Sequence, residues 1–136
     1  MSTNLSLSHR EQEPENGVLY LVGTPIGNLS DISSRALNIL KNVFLILCED
    51  TRETRKILSR FKIQNELSSF NRHNSNSKIP KIIKYLKSGK SLALVSDAGM
   101  PLICDPGEDL VQNAKHHNLE IICIPGPCAA ITALAV

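Results

Sequence analysis

Five short apolar runs, each closing on a turn and leading into a helix-like stretch, constrain this chain more than any other feature. They are Val18–Val22, Val43–Cys48, Leu67–Phe70, Leu92–Val95 and Leu119–Ile124. The first, Val-Leu-Tyr-Leu-Val, shows no polar alternation. A strand solvated on one face alternates, whereas a strand of a parallel sheet covered on both faces does not. The expected fold is therefore α/β: a three-layer α/β/α domain around a mostly parallel five-stranded sheet. At 136 residues and 42% hydrophobic content, the chain can bury one core and is too short for two domains of ordinary size.

The intervening stretches carry helix signals. One helix should open near Ser30 or Asp31, with Ala36, Leu37, Leu40 and Val43 facing inward. A second follows Asp50, which with Glu53 makes a capping box, and shows an apolar stripe of Ile57, Leu58 and Phe61. The polar segment Asn71–Ser77 reads as a loop with His73 exposed in it. After it come Ile79, Ile82, Ile83 and Leu86, the spacing of an amphipathic helix, stopped by Gly89. Asp105, Pro106 and Glu108 supply a cap, a first-turn proline and a glutamate for a further helix. Leu110, Val111 and Ala114 form its buried side, and Lys115 to His117 suit its negative end.

The connection from Val95 to Gly107 is longer than a strand-to-helix turn needs and holds two aspartates, two prolines and two glycines. Its backbone shape is fixed by Pro101 and Pro106 and freed at Gly99 and Gly107. Asp97 sits where the strand ends, the place at which open α/β sheets bind ligands. Asp97 is therefore read as a site residue, with Asp105 already available to cap the next helix. Glu49 also ends a buried strand and has no cap to form, while Asp50 has one, so Glu49 is the better functional candidate of the two. Gly23 and Gly27 do not complete Gly-x-Gly-x-x-Gly, and Thr24-Pro25 occupy positions that would need flexible backbone, which excludes a nicotinamide-type loop.

Charge is unevenly distributed. Between Arg52 and Lys90 there are eleven lysines and arginines against Glu53 and Glu66, a net +9 within a chain whose total is +2. Such an asymmetry points to a polyanionic partner. Arg52, Arg55 and Arg60 line one helix; Lys78, Lys81, Lys84 and Lys87 fan across the outer side of another with no aromatic interleaved, so any RNA contact there is expected to be to phosphate. The four cysteines form no Cys-x-x-Cys pair, and no metal site is expected. A reduced, cytoplasmic protein without membrane spans follows. Residues 1–16, polar and rich in Ser, Asn and Glu, are expected to form a disordered leader, and 17–136 the α/β domain. The chain stops at Val136 inside a starting helix, so a carboxyl-terminal domain is expected to be absent.

Four turn motifs in order, LVGTPIGNLSDIS (residues 21–33), LCEDTRET (47–54), SDAGMPLICDPG (96–107) and IPGPCAA (124–130), resemble the tetrapyrrole methylase superfamily of S-adenosylmethionine-dependent methyltransferases, closest to its branch acting on small-subunit ribosomal RNA. The resemblance covers Val18 to Val136 and identifies the chain as the amino-terminal domain. It implies 2′-O-methylation of a cytidine in 16S ribosomal RNA by a homodimer, with the cofactor in a cleft between two domains. Carried over by motif, the cofactor residues would be Pro25, Ile26, Asp97, Gly99, Met100, Cys128 and Ala129. Met100 and Cys128 stand where the family has a threonine and a serine, so two hydroxyls are missing and backbone contacts remain. Methyl transfer needs an acceptor oxygen held in line, and orientation can contribute about 7–11 kcal/mol. A ribose hydroxyl also needs a proton acceptor, for which Glu49, Asp50, Asp97 and Asp105 are the strand-end carboxylates, Glu49 and Asp97 being preferred. A tetrapyrrole C-methyltransferase and a non-catalytic RNA-binding fragment are the rival expectations; the first has no use for the basic segment.

Overall fold

The computed structural model describes residues 12–24, 32–96 and 106–124. Five strands, β1 (Val18–Gly23), β2 (Leu45–Cys48), β3 (Leu67–Ser69), β4 (Leu92–Ser96) and β5 (Glu120–Ile124), form one sheet in the order β3-β2-β4-β1-β5. Every pairing is parallel. Among the described residues four helices accompany them: α1 (Ser34–Asn42), α2 (Thr51–Arg60), α3 (Ser75–Lys87) and α4 (Gly107–His116).

The non-alternating runs are explained by two cores, one on each side of the sheet. Val18, Tyr20, Val22, Ile46, Cys48, Ala93 and Val95 pack with α1 and α2 through Ile39, Leu40, Ile57 and Leu58. Leu19, Leu21, Leu47 and Leu92 pack with α3 and α4 through Ile82, Ile83, Leu86, Leu110 and Val111. A strand with apolar side chains on both faces can be satisfied only between two helical layers, which is the α/β/α arrangement expected.

Helix boundaries differ from expectation in three places. The α1 cap is Ser33, whose hydroxyl accepts from the Ala36 N–H at 3.1 Å, so the helix opens later than Ser30 or Asp31. Serine recurs at 30, 33 and 34, and only packing selects among such caps. The stretch Asn71–Ser77 is not a loop: Asn71–Asn74 form a hydrogen-bonded turn and Ser75–Ser77 are already helical. Asn71 Oδ1 accepts from the N–H groups of His73 and Asn74, and the helix starts at Ser75. Pro80 lies within α3, in its second turn. Helix α4 begins at Gly107 with Pro106 in the capping position, and the expected cap Asp105 lies outside the described residues.

Residues 12–16, at the end of the expected leader, make contacts with the domain. Glu13 is buried, with its side chain 4% exposed, and makes two 2.8 Å bonds to the Arg35 guanidinium. Its carbonyl accepts from Asn38, and the Glu15 N–H donates to the buried Tyr20 hydroxyl at 2.8 Å. A polar composition does not prevent docking when a carboxylate finds a bidentate guanidinium.

Candidate functional site

The parallel register brings the carboxyl ends of all five strands to one edge. Ser69, Cys48, Val95, Val22 and Ile124 stand level across the sheet. The connections leaving β4, β1 and β5 contain the loops singled out in the sequence, and these three strands are adjacent. With neighbouring strands about 4.8 Å apart, the outer two exits are separated by about 10 Å. Pro25, Ile26, Asp97, Gly99, Met100, Cys128 and Ala129 themselves lie outside the described residues, as does Asp105.

The rim from which those loops leave is built of small uncharged side chains. Gly23 stands opposite Ser96 in the ladder. Thr24, 2% exposed, follows it, and both its N–H (3.0 Å) and its Oγ1 (2.6 Å) donate to the Ser96 carbonyl. Sequence reasoning passed over Thr24. A signal existed: a threonine directly after an apolar strand carries a hydroxyl that can give a neighbouring carbonyl a second donor.

Next to this rim, β2 ends in two carboxylates with different surroundings. Asp50 caps α2, accepting the Arg52 N–H at 2.9 Å and the Arg52 guanidinium at 3.4 Å. The backbone N–H, then the guanidinium, hold its carboxyl below the usual carboxylate range. Glu53 does not complete the capping box; it turns to Lys56 at 3.3 Å. Glu49 is exposed one residue beyond Cys48, level with Ser96 in the extended register. It is thereby available to a substrate.

The basic residues divide into two groups. Arg52, Arg55 and Arg60 are exposed on α2, which packs on one face of the sheet. Lys81, Lys84 and Lys87 are exposed on α3, on the opposite face. Lys84 and Lys87 line a groove of about 430 Å3 together with Ile79, Pro80 and Ile83, and with Asn113 of α4 and His117 just after it. Lys78, expected among the outward lysines, is half-buried and donates to the Ser68 hydroxyl at 2.9 Å and to the Ser69 carbonyl, tying α3 to β3. An aromatic does interleave the lysines: Tyr85 lies between Lys84 and Lys87 and packs against Phe44 with the rings tilted by 57° and their centroids 5.0 Å apart. Lys90 covers the Phe44 ring at 4.2 Å. His73, His116 and His117 are exposed, as expected. Among the described residues no cluster of three or more His, Cys, Asp or Glu could hold a metal, and no helix is long and apolar enough to cross a membrane.

The family model for Tetrapyrrole (Corrin/Porphyrin) Methylases matches residues 18–136. Ribosomal RNA small subunit methyltransferase I of Thermotoga maritima is 51% identical over 120 residues, covering 88% of this chain and 54% of that protein. The protein of the same name from Escherichia coli O157:H7 is 46% identical over 127 residues, covering 93% of this chain and 44% of its own length. The chain thus spans about half the length of these relatives. A solved structure, uroporphyrin-III-C-methyltransferase from Thermus thermophilus, superposes with a TM-score of 0.62 at 20% identity over 81% of this chain and 46% of that one.

Proposed function

Because the chain belongs to the tetrapyrrole (corrin/porphyrin) methylases, we propose that it is the amino-terminal α/β unit of an S-adenosylmethionine-dependent methyltransferase of 16S ribosomal RNA. It acts in the cytoplasm, as a homodimer, on the ribose 2′-oxygen of a cytidine in the small ribosomal subunit. The observation that carries the substrate class is the identity of about half to proteins named ribosomal RNA small subunit methyltransferase I. The exposed rows on α2 and α3 supply the positive surface that an RNA backbone needs. A tetrapyrrole substrate is the weaker reading, since the likeness to the uroporphyrin enzyme, at 20% identity, speaks only for the fold.

S-adenosylmethionine supplies an electrophilic methyl group on a sulfonium. The rim fits such a group: Gly23, Thr24 and Ser96 are small and uncharged, and the three loop exits are adjacent. Pro25, Ile26, Gly99, Met100, Cys128 and Ala129 would hold it from the loops, largely through backbone, with Asp97 at the end of β4. Glu49, exposed at the same edge, is placed to accept the proton of the attacking hydroxyl. Arg52, Arg55, Arg60, Lys81, Lys84 and Lys87 hold phosphates and steer the RNA.

The test uses the chain fused to the unmatched half of the Thermotoga maritima protein, with cooperative unfolding verified first. Incubated with methyl-labelled S-adenosylmethionine and unmethylated small subunits, it is expected to place label in an alkali-resistant dinucleotide of 16S RNA. Asp97→Ala in the same fusion should leave unfolding unchanged and weaken cofactor binding more than twofold. Label in a base, or a folded fusion that labels a tetrapyrrole and no RNA, contradicts the proposal.

A further inference from the structure

We propose that Phe44 and Tyr85, with the lysines around them, form a platform on which one unpaired base of the RNA stacks, at the end of the strands opposite to Glu49; this deepens the RNA reading above and rests on it. Among the described residues Phe44 is the large hydrophobic side chain that stays exposed, at 40%. A lone exposed phenylalanine needs no explanation, but this one is held in a built cluster. Its N–H donates to the Ser91 carbonyl at 2.8 Å, one step before Leu45 and Leu92 pair in the sheet. Tyr85, half-buried at the end of α3, packs against its ring, and the Lys90 ammonium lies 4.2 Å from the ring centroid. Three separate parts of the chain thus fix one ring at the surface.

Charge identifies the occupant. Lys41, Lys84, Lys87 and Lys90 are exposed, Lys84 and Lys87 in the last turn of α3. No Asp or Glu occurs from Leu37 to Cys48 or from Leu67 to Ser96; Glu66, exposed one strand over, is the acidic neighbour. A second copy of the chain meeting the same patch would set lysine against lysine. A single-stranded RNA offers the two groups this surface matches, a flat base and a phosphate, in every nucleotide. Lys90 marks the ring face that attracts them: being exposed, its ammonium can move to a phosphate as a base takes its place. Helix α3 connects this platform with the proposed site. It starts beside the carboxyl end of β3, where Asn74 Nδ2 donates to the Ser69 hydroxyl at 3.1 Å, and ends beside Phe44. Its 13 residues span about 20 Å, with Lys81, Lys84 and Lys87 along the way. An RNA strand whose phosphates follow these lysines brings to Phe44 a base several nucleotides from the one that reacts.

The experiment titrates the 136-residue chain with two labelled single strands of equal length, oligoadenylate and an abasic ribose-phosphate strand that keeps the phosphates and lacks the bases. The unmodified chain is expected to bind oligoadenylate about tenfold more tightly, the size of effect one stacked base carries. Phe44→Leu should abolish that preference and leave affinity for the abasic strand within about twofold, while Phe44→Tyr keeps the preference. Phe44 ring-proton resonances should move upfield with oligoadenylate and not with the abasic strand, a response that a purely structural ring would not give. Those resonances, read in the unmodified chain, decide the matter should Phe44→Leu fail to fold. A preference that survives in Phe44→Leu, or ring resonances that stay in place, overturns the platform. A lack of base preference together with self-association that Phe44→Leu abolishes also overturns it, and makes the patch a contact between copies. If neither strand binds, it is the RNA reading of the lysine row that fails, and the platform falls with it.

Discussion

Glu49 and Asp50 are consecutive carboxylates at the end of β2, yet their surroundings give them different work. Asp50 is engaged by the Arg52 N–H and guanidinium, and its carboxyl titrates below the usual range. A carboxyl depressed in the folded chain stabilises it above the unfolded value, near pH 3.9, and that contribution is lost as pH falls through the lower folded value. Asp50→Asn keeps the cap and removes the titration. Thermal unfolding followed from about pH 6 down to about pH 2 should therefore show a smaller acid-induced fall for Asp50→Asn than for the unmodified chain. Superimposable profiles would mean that the Arg52 contacts carry no net stability. The sequence already distinguished the two residues, because a helix start so close to a strand end needs only one cap. It could not reveal that Glu53 turns to Lys56 instead of closing the box, a choice between two exposed partners of similar energy.

Three helices end alike at the scale of the element. The N–H groups of Ile63, Lys90 and Leu119 reach back to the carbonyls of Leu58, Tyr85 and Ala114, with Lys62, Gly89 and Asn118 at positive φ of 55°, 96° and 58°. Only Gly89 was legible as a stop, since glycine adopts that conformation freely, whereas Lys62 is held there by the motif. Lys62→Gly is expected to stabilise the chain by roughly 0.5–1 kcal/mol in urea denaturation, and Asn118→Gly by less, because asparagine tolerates the left-handed region. A loss of stability in Lys62→Gly would show that this lysine's side chain contributes more than its backbone costs. The basic rows also belong to this scale. Since α2 and α3 lie on opposite faces, an RNA that touches both must pass around an edge of the sheet. Replacing Lys84 and Lys87 by glutamine, or Arg52 and Arg55 likewise, should each flatten the slope of log affinity against log salt by about 0.7 for every phosphate no longer neutralised, and additively together. A response to only one pair would place the RNA on a single face.

At the scale of the whole molecule, a closed α/β/α core contrasts with a site that is one edge of it. The segment by itself is expected to unfold cooperatively, given two cores and a sheet in which β1 is buried throughout and β2 and β4 are mostly buried. The relatives it matches are about twice as long, so the proposed cleft has a second wall that this segment does not supply. By itself it should therefore bind S-adenosylmethionine only in the millimolar range and produce no methylated RNA. Calorimetry showing micromolar affinity together with turnover would mean that one wall suffices. The sequence by itself determined the fold class, because non-alternating apolar strands are stable only between helical layers, and four ordered turn motifs identified the family. It also placed the candidate loops at strand ends, a local feature of each run. Tertiary structure alone decided the rest: the strand order that makes the exits of β4, β1 and β5 adjacent, the placing of Arg52, Arg55 and Arg60 on one face of the sheet and Lys81, Lys84 and Lys87 on the other, the docking of Glu13 on Arg35, and the bond from Thr24 to Ser96 across 72 positions of chain. Each of these depends on which distant elements meet, and that is settled by how two helical layers share one sheet, a condition no local window of residues contains.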